Sequence, residues 1–259
     1  MDIEVSGNRK KLAPLIFTDL IRIGNDFDGG YVLPRSSIDG VNTLISFGVG
    51  SNWTFESFIE KLLPTIKIYG FDHTVSLSYF FRKSINGLVK SIIKFNFSKH
   101  FRPRLNHLYR YIRFWIMNRN STHLQIQITN RNVQKIVKKY TRNSGFGVKI
   151  DIEGGEFVIL PEIFEYLQRA NFLLIEFHDI EKNSENFDSI INELLKFAVI
   201  AHMHCNNFDS IGLDGFPKTI ELTFVNMRFA TTNELRTALP LPDLDSPTAR
   251  NREDFAIRF

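Results

Sequence analysis

Ile45-Ser46-Phe47-Gly48-Val49-Gly50-Ser51-Asn52 is the stretch that decides the fold. The apolar run at 41–49 (VNTLISFGV) reads as a strand, and a helical pattern follows at 54–63. Glycine has no Cβ, so a strand that leaves through Gly48 and Gly50 lets its backbone approach a ligand closely. A plain tight turn uses the same residues. The second half of the signal is Asp72, 22 residues after Gly50, at the end of the next strand run at 66–71. A carboxylate there can accept the hydroxyl hydrogens of a ribose, so the pair points to a nucleoside cofactor.

Outward from this unit, strand-like runs recur at 123–128, 147–152, 172–177, 198–203 and 220–225. Helical patterns recur at 132–140, 161–170 and 187–197. Alternating strands and helices predict an α/β protein with a largely parallel sheet. No repeat or low-complexity linker divides the chain, so one domain is expected over 1–259, with an N-terminal extension at 1–40. With 43% apolar and 23% charged residues the composition is that of an ordinary globular protein. A single cysteine, Cys205, excludes an intrachain disulfide and a cysteine-rich zinc site. The longest apolar runs, such as Phe172-Leu173-Leu174-Ile175, fall far short of the ~20 residues of a membrane helix. The polar start from Met1 to Lys11 does not read as a secretory signal, and a cytoplasmic protein is expected. The sequons at Asn52, Asn96 and Asn120 are then chance matches.

Charge is unevenly distributed. Residues 73–150 contain no Asp or Glu but hold 16 Lys and Arg; the rest carries 16 basic residues against all 28 acidic ones. Within this block a helical insertion is expected at about 76–120. One apolar stripe is formed by Leu77, Phe81, Ile85, Leu88, Ile92 and Phe95, and a second by Leu105, Leu108, Tyr109, Ile112, Trp115 and Ile116. The plainer expectation is that both stripes pack on the main domain or on each other. The sharper one is an interfacial cap that meets a membrane surface or a lipid-linked substrate. The cations themselves suggest a polyanion, an anionic membrane or a charged substrate, or else a solvated face paired with the acidic remainder.

The run Lys149-Ile150-Asp151-Ile152-Glu153-Gly154-Gly155-Glu156 is more specific. It resembles the KIDIEGxE signature of the FkbM-type family of S-adenosylmethionine-dependent methyltransferases. Other stretches resemble the same family in order: 22–33, Ser46-Phe47-Gly48-Val49-Gly50, 69–74, Ile175-Glu176-Phe177-His178, 202–207 and Glu221-Leu222-Thr223. Together they cover roughly residues 20–225. The resemblance implies a class I, Rossmann-like methyltransferase fold with a seven-stranded, mainly parallel sheet and S-adenosylmethionine at the carboxyl ends of its first strands. By the same resemblance Gly48 and Gly50 approach the methionine part and Asp72 binds the ribose. Ser51, Asn52, His73 and Asp151 are counted among the cofactor contacts. The chain departs from the commonest class I glycine motif, with Ser46 where an acidic residue begins it and Asn52 at its third glycine. After the third strand it offers Asn130 and no carboxylate for the adenine.

Absences narrow the acceptor. There is no Pro-Pro, as amino-methylating DNA enzymes would have, and Cys205 follows His204 where cytosine-C5 enzymes have Pro-Cys. Nucleic acid is therefore not the favoured partner. Hydroxyl methylation needs a base, and FkbM-like relatives are associated with O-methylation of sugars, so a saccharide, glycolipid or other anionic hydroxyl acceptor is expected. His178 is the first candidate base, because an imidazole of pKa near ~6.5 accepts a proton at neutral pH. Asp151, Glu153, Glu176 and His204 are the other candidates. His202 and His204 share a strand face and bind substrate or satisfy buried polar groups. A divalent metal on Asp151, Glu153 and His178 is possible but not favoured. Asp26, Asp28 or Tyr31 is expected to line the site, and Glu56 to sit on a helix's first turn. The competing reading is a polyanion- or membrane-binding protein whose transfer site is inactive.

Overall fold

Seven strands form: β1 (Thr43–Phe47), β2 (Lys67–Phe71), β3 (Ser121–Leu124), β4 (Phe146–Ile150), β5 (Phe172–Phe177), β6 (Ala198–Cys205) and β7 (Ile220–Asn226). Six lie on the expected apolar runs; β3 shares only residues 123 and 124 with the run expected at 123–128. The computed structural model describes residues 2–5, 7–94, 96–142 and 145–259. The strands form one sheet in the order β3-β2-β1-β4-β5-β7-β6. β1 to β5 run parallel, and β7 is antiparallel to both its neighbours. This is the class I methyltransferase sheet.

Every residue of β1, β4 and β5 is buried, as a sheet covered on both faces requires. Alternation sends Ile45, Phe47, Val148 and Ile175 into one apolar layer, closed by the helices α4 (Val133–Tyr140) and α5 (Ser184–Leu194). Leu44, Ile68 and Leu174 enter the other layer, closed by α1 (Thr54–Leu62), α2 (Leu77–Lys94) and α3 (Arg102–Tyr111). β1 lies between β2 and β4, so the strand order reverses there and opens a crevice at the strands' carboxyl ends. The helix expected at 161–170 is instead three short turns, Glu156–Ile159, Leu160–Glu162 and Phe164–Leu167. Pro161, which has no N–H, separates the first turn from the second, and Ile163, with φ −127° and ψ 2°, leaves helical geometry between the second and third.

The described residues among the first forty are woven into the body. Asp2–Glu4 pairs with Ala256–Arg258, and Leu20–Ile23 forms a hairpin with Tyr31–Pro34. The Thr223 hydroxyl on β7 donates to the Val32 carbonyl at 2.8 Å. No helix of the described residues is long and apolar enough to cross a membrane.

The helical insertion overturns the packing expected of its first stripe. α2 buries Phe80, Ser84, Gly87 and Ser91, a mostly small-residue face. A Cβ on Gly87 would lie 2.6 Å from the His100 carbonyl, so glycine permits this close approach. Leu77, Phe81, Ile85, Leu88 and Ile92 are all exposed; Phe95 lies outside the described residues. The second stripe divides: Leu108 and Trp115 are buried, whereas Leu105, Tyr109 and Ile116 face out.

Candidate active site

The carboxyl ends of β1, β2, β4 and β5 converge on a cleft of about 870 Å³. It brings together Gly48, Gly50, Ser51, Asn52, Asp72, His73, Asp151, Glu153 and His178, all singled out from the sequence. Asp28 and Tyr31 of the N-terminal hairpin also line it. Asp26 is not among the lining residues.

Gly48 makes the crossing between β1 and β4 possible. Its φ is +76°, and a Cβ there would lie 1.5 Å from the Asp151 carbonyl oxygen. Gly50 also has a positive φ, +57°, but nothing lies within 4 Å of its missing Cβ. Asp72 holds this loop as well as facing the cleft. Its carboxylate accepts from the Gly50 N–H at 2.7 Å, and from the N–H and hydroxyl of Thr74 at 2.6 Å each. Burial would raise its pKa, but these hydrogen bonds, from the Thr74 hydroxyl and the Gly50, Thr74 and Val75 N–H groups, hold it below the ordinary value. A carboxylate has about four acceptor positions and these donors take them up, so a ligand hydroxyl would share or displace one of them.

Acidic groups gather on the other side. His178 donates its backbone N–H to Glu156 Oε1 at 2.6 Å, and its Nδ1 lies 3.2 Å from the same oxygen. Glu156 is fully buried and also accepts from the Gly154 N–H. A carboxylate offers no proton, so this contact fixes the Nδ1–H tautomer. Nε2 then faces Glu153 and Glu176 at 3.6 Å each and Asp151 at 4.0 Å. Burial would lower the His178 pKa; the hydrogen bond to Glu156 and the charges of Glu176, Glu156 and Asp151 prevail and push it up to about 9. The ordinary imidazole expected from the sequence is therefore a cation at neutral pH. Glu176 is pushed well above the carboxylate range by burial and by Asp151 and Glu221, although Asn206 donates to it at 2.8 Å.

His204 does not reach the cleft. It is buried, with Nε2 2.9 Å from Asp254 and Nδ1 3.6 Å from Glu221. Against burial, those carboxylates raise its pKa to about 10. His202 is likewise held by Asp245 at 3.1 Å. Both histidines tie β6 to the C-terminal segment. Glu56 sits in the first turn of α1 as expected, but it is fully buried there and accepts from the Ser46 hydroxyl at 2.5 Å. Cys205 is buried, which raises its thiol pKa.

Lys149 and Asn206 are the site residues that sequence reasoning passed over. Lys149 is 3% exposed, and its Nζ contacts Asp151 at 3.2 Å and the Gly48 carbonyl at 3.3 Å. Burial opposes its charge, but Asp151 and Glu56 hold it protonated. A lone lysine within the fully buried strand FGVKI was the signal. Asp151, Glu153 and His178 each present a ligand atom within 4.8 Å of the others, and among the described residues this is the trio that could hold a metal ion.

The sheet order and the cleft at its reversal define the chain's fold class as that of class I methyltransferases. Among solved structures, fibrillarin from Aeropyrum pernix, in complex with natively bound S-adenosyl-L-methionine, is similar at 13% identity and TM-score 0.42, covering 83% of this chain and 86% of that one. A putative O-methyltransferase from Klebsiella pneumoniae matches at 7% identity and TM-score 0.37, covering 71% and 73%. A probable spermidine synthase from Corynebacterium glutamicum matches at 11% identity and TM-score 0.43, covering 78% and 61%. No family model and no curated protein matches the chain.

Proposed function

We propose that the chain is an S-adenosylmethionine-dependent O-methyltransferase acting on a hydroxyl of a saccharide or glycolipid. One observation carries the reading: Asp72, at the end of β2, meets the Gly48–Gly50 loop of β1 in the same cleft as the acid–imidazole cluster of β4 and β5. The residues fit that cofactor. Gly50 leaves open space where a side chain would stand, Asp72 lines the cleft with a carboxylate that ribose hydroxyls can share with the loop, and Phe71, Ile126 and Ile128 give the lining an apolar part for a flat base.

Bound there, S-adenosylmethionine supplies a methyl carbon on a sulfonium, and its transfer to a hydroxyl oxygen releases one proton. Glu156 aims His178 so that Nε2 takes that proton once its own is lost. Glu156 and Asp151 stabilise the imidazolium that results. Asn206, Asp209, Thr219 and Thr248 line the same cleft and offer hydrogen bonds to a polyhydroxylated acceptor. The choice of a sugar hydroxyl rests on the FkbM-like run at 149–156.

Thermal melting with S-adenosylhomocysteine and with NAD tests the cofactor. The first should raise the melting temperature and the second should not; the reverse result overturns the reading. Transfer of a labelled methyl group to a panel of sugars, phenols and amines, with and without chelator, then tests acceptor class and metal dependence separately.

A further inference from the structure

We propose that the α2–α3 hairpin docks on an anionic lipid bilayer, lying in the plane of its interface. Over its 18 residues α2 presents three arcs. Phe80, Ser84, Gly87 and Ser91 pack inward. A second arc carries Phe81, Ile85, Leu88, Val89, Ile92 and Ile93, which face solvent; Ile93 is 70% exposed and Phe81 56%. The third carries Lys83, Lys90 and Lys94, all exposed; Arg82, also exposed, falls within the apolar arc between Val89 and Ile93, where its long side chain can reach up to headgroups. The helix is about 27 Å long at ~1.5 Å per residue, so it offers a continuous apolar strip with cations along its flank. Helices with one basic and one apolar face lie in membrane interfaces with the apolar face sunk below the headgroups.

Charge selects the occupant. The block 73–150 has no Asp or Glu, and among the described residues none of its ten cations from Arg82 to Arg119 pairs with a carboxylate. A second copy of this chain on the strip would set cations against cations. Nucleic acid would use the cations but leave the aliphatic strip in water, since stacking needs aromatic faces. An anionic bilayer satisfies both. The hairpin is rooted at the cleft rim: His107 Nε2 lies 2.8 Å from the Ser51 carbonyl, and Trp53 packs on Phe80, His107 and Tyr111. The proposal is independent of the chemistry assigned to the cleft.

Co-sedimentation of the full chain with vesicles tests it, using phosphatidylcholine alone and with about 30% phosphatidylserine. Binding to the anionic vesicles, weakened by salt, is expected. Replacing three exposed side chains together, Phe81→Ser, Ile92→Ser and Ile93→Ser, should lower the partition coefficient by about 30–300-fold, given the apolar surface each would bury. A second variant, Arg82→Glu with Lys90→Glu, should lose binding to anionic vesicles by more than tenfold. All five positions are exposed, so melting curves should match the wild type. The proposal is overturned if the wild type stays in solution with anionic vesicles, or if the triple variant binds as well as wild type. A dimer in sedimentation velocity that the triple variant abolishes would assign the strip to a second copy instead.

Discussion

Glu156→Gln should move the titration of His178 and, with it, the pH dependence of turnover. In the wild type His178 titrates at about 9. At pH 7 it lies two units below that midpoint, so only about 1% of the imidazole is neutral and able to accept a proton. Removing the Glu156 charge, 3.2 Å from Nδ1, should lower the midpoint by about 1–3 units, the usual effect of one opposite charge at this range. The glutamine keeps the shape and one acceptor but sets an NH₂ against either the His178 or the Gly154 N–H, costing about 1–3 kcal/mol of stability. Histidine NMR reads the midpoint directly, without knowledge of the acceptor. If Nε2 is the base, kcat/KM of the wild type should rise about tenfold per pH unit from 7 to nearly 9, and the variant should level off earlier. The raised pKa also contributes stability that is fully present below ~6.5 and is lost as pH rises through about 9. A wild-type midpoint near 6.5, or no movement in the variant, would refute the role given to Glu156. A midpoint near 9 with a flat rate profile would pass the proton to Glu176 or Asp151.

Three further outcomes are expected. Gly48→Ala should abolish S-adenosylhomocysteine binding and cost more than the ~1–3 kcal/mol of a strained backbone, because its Cβ meets the Asp151 carbonyl; Gly50→Ala, with open space around it, should cost only about 1–2 kcal/mol in a urea titration. Asp72→Asn should weaken S-adenosylhomocysteine by about 1.5–3 kcal/mol in calorimetry and also lower the melting temperature; a lower melting temperature with unchanged affinity would confine Asp72 to holding the loop. His204 gives stability that is complete below ~6.5 and lost as pH rises through about 10, so it should account for about 3–4 kcal/mol of the loss in urea unfolding between pH 7 and 10, beside the share of His178, and His204→Gln should remove that part of the slope.

Strand positions and the glycine loop could be read directly, because a buried parallel strand leaves an uninterrupted apolar run and a close approach leaves a glycine. The stripe on α2 could not be read so directly. Periodicity finds an apolar arc but not what covers it, and the packed face is Ser84, Gly87 and Ser91, which carry little apolar signal. His202 and His204 alternate as expected on β6, but their partners Asp245 and Asp254 lie more than forty residues on, and no spacing rule links them. The altered basicity of His178 was equally hidden: its carboxylates come from the ends of β4 and β5 and from Glu156, and only the folded cleft assembles them.

Asp2–Glu4 runs alongside Ala256–Arg258, one strand spacing away. The two ends of the described chain thus meet in hydrogen-bonded backbone, roughly 10 Å apart along the pair. A connector of a few residues could join them, and new ends could be opened at the exposed turn around Leu213 and Gly215 without cutting a strand of the main sheet. In such a rearranged chain β7 would become the first strand of the main sheet to be synthesised and its neighbour β6 the last. The hairpin between them would turn into the most distant pairing in the chain, while the cleft kept every residue that shapes it.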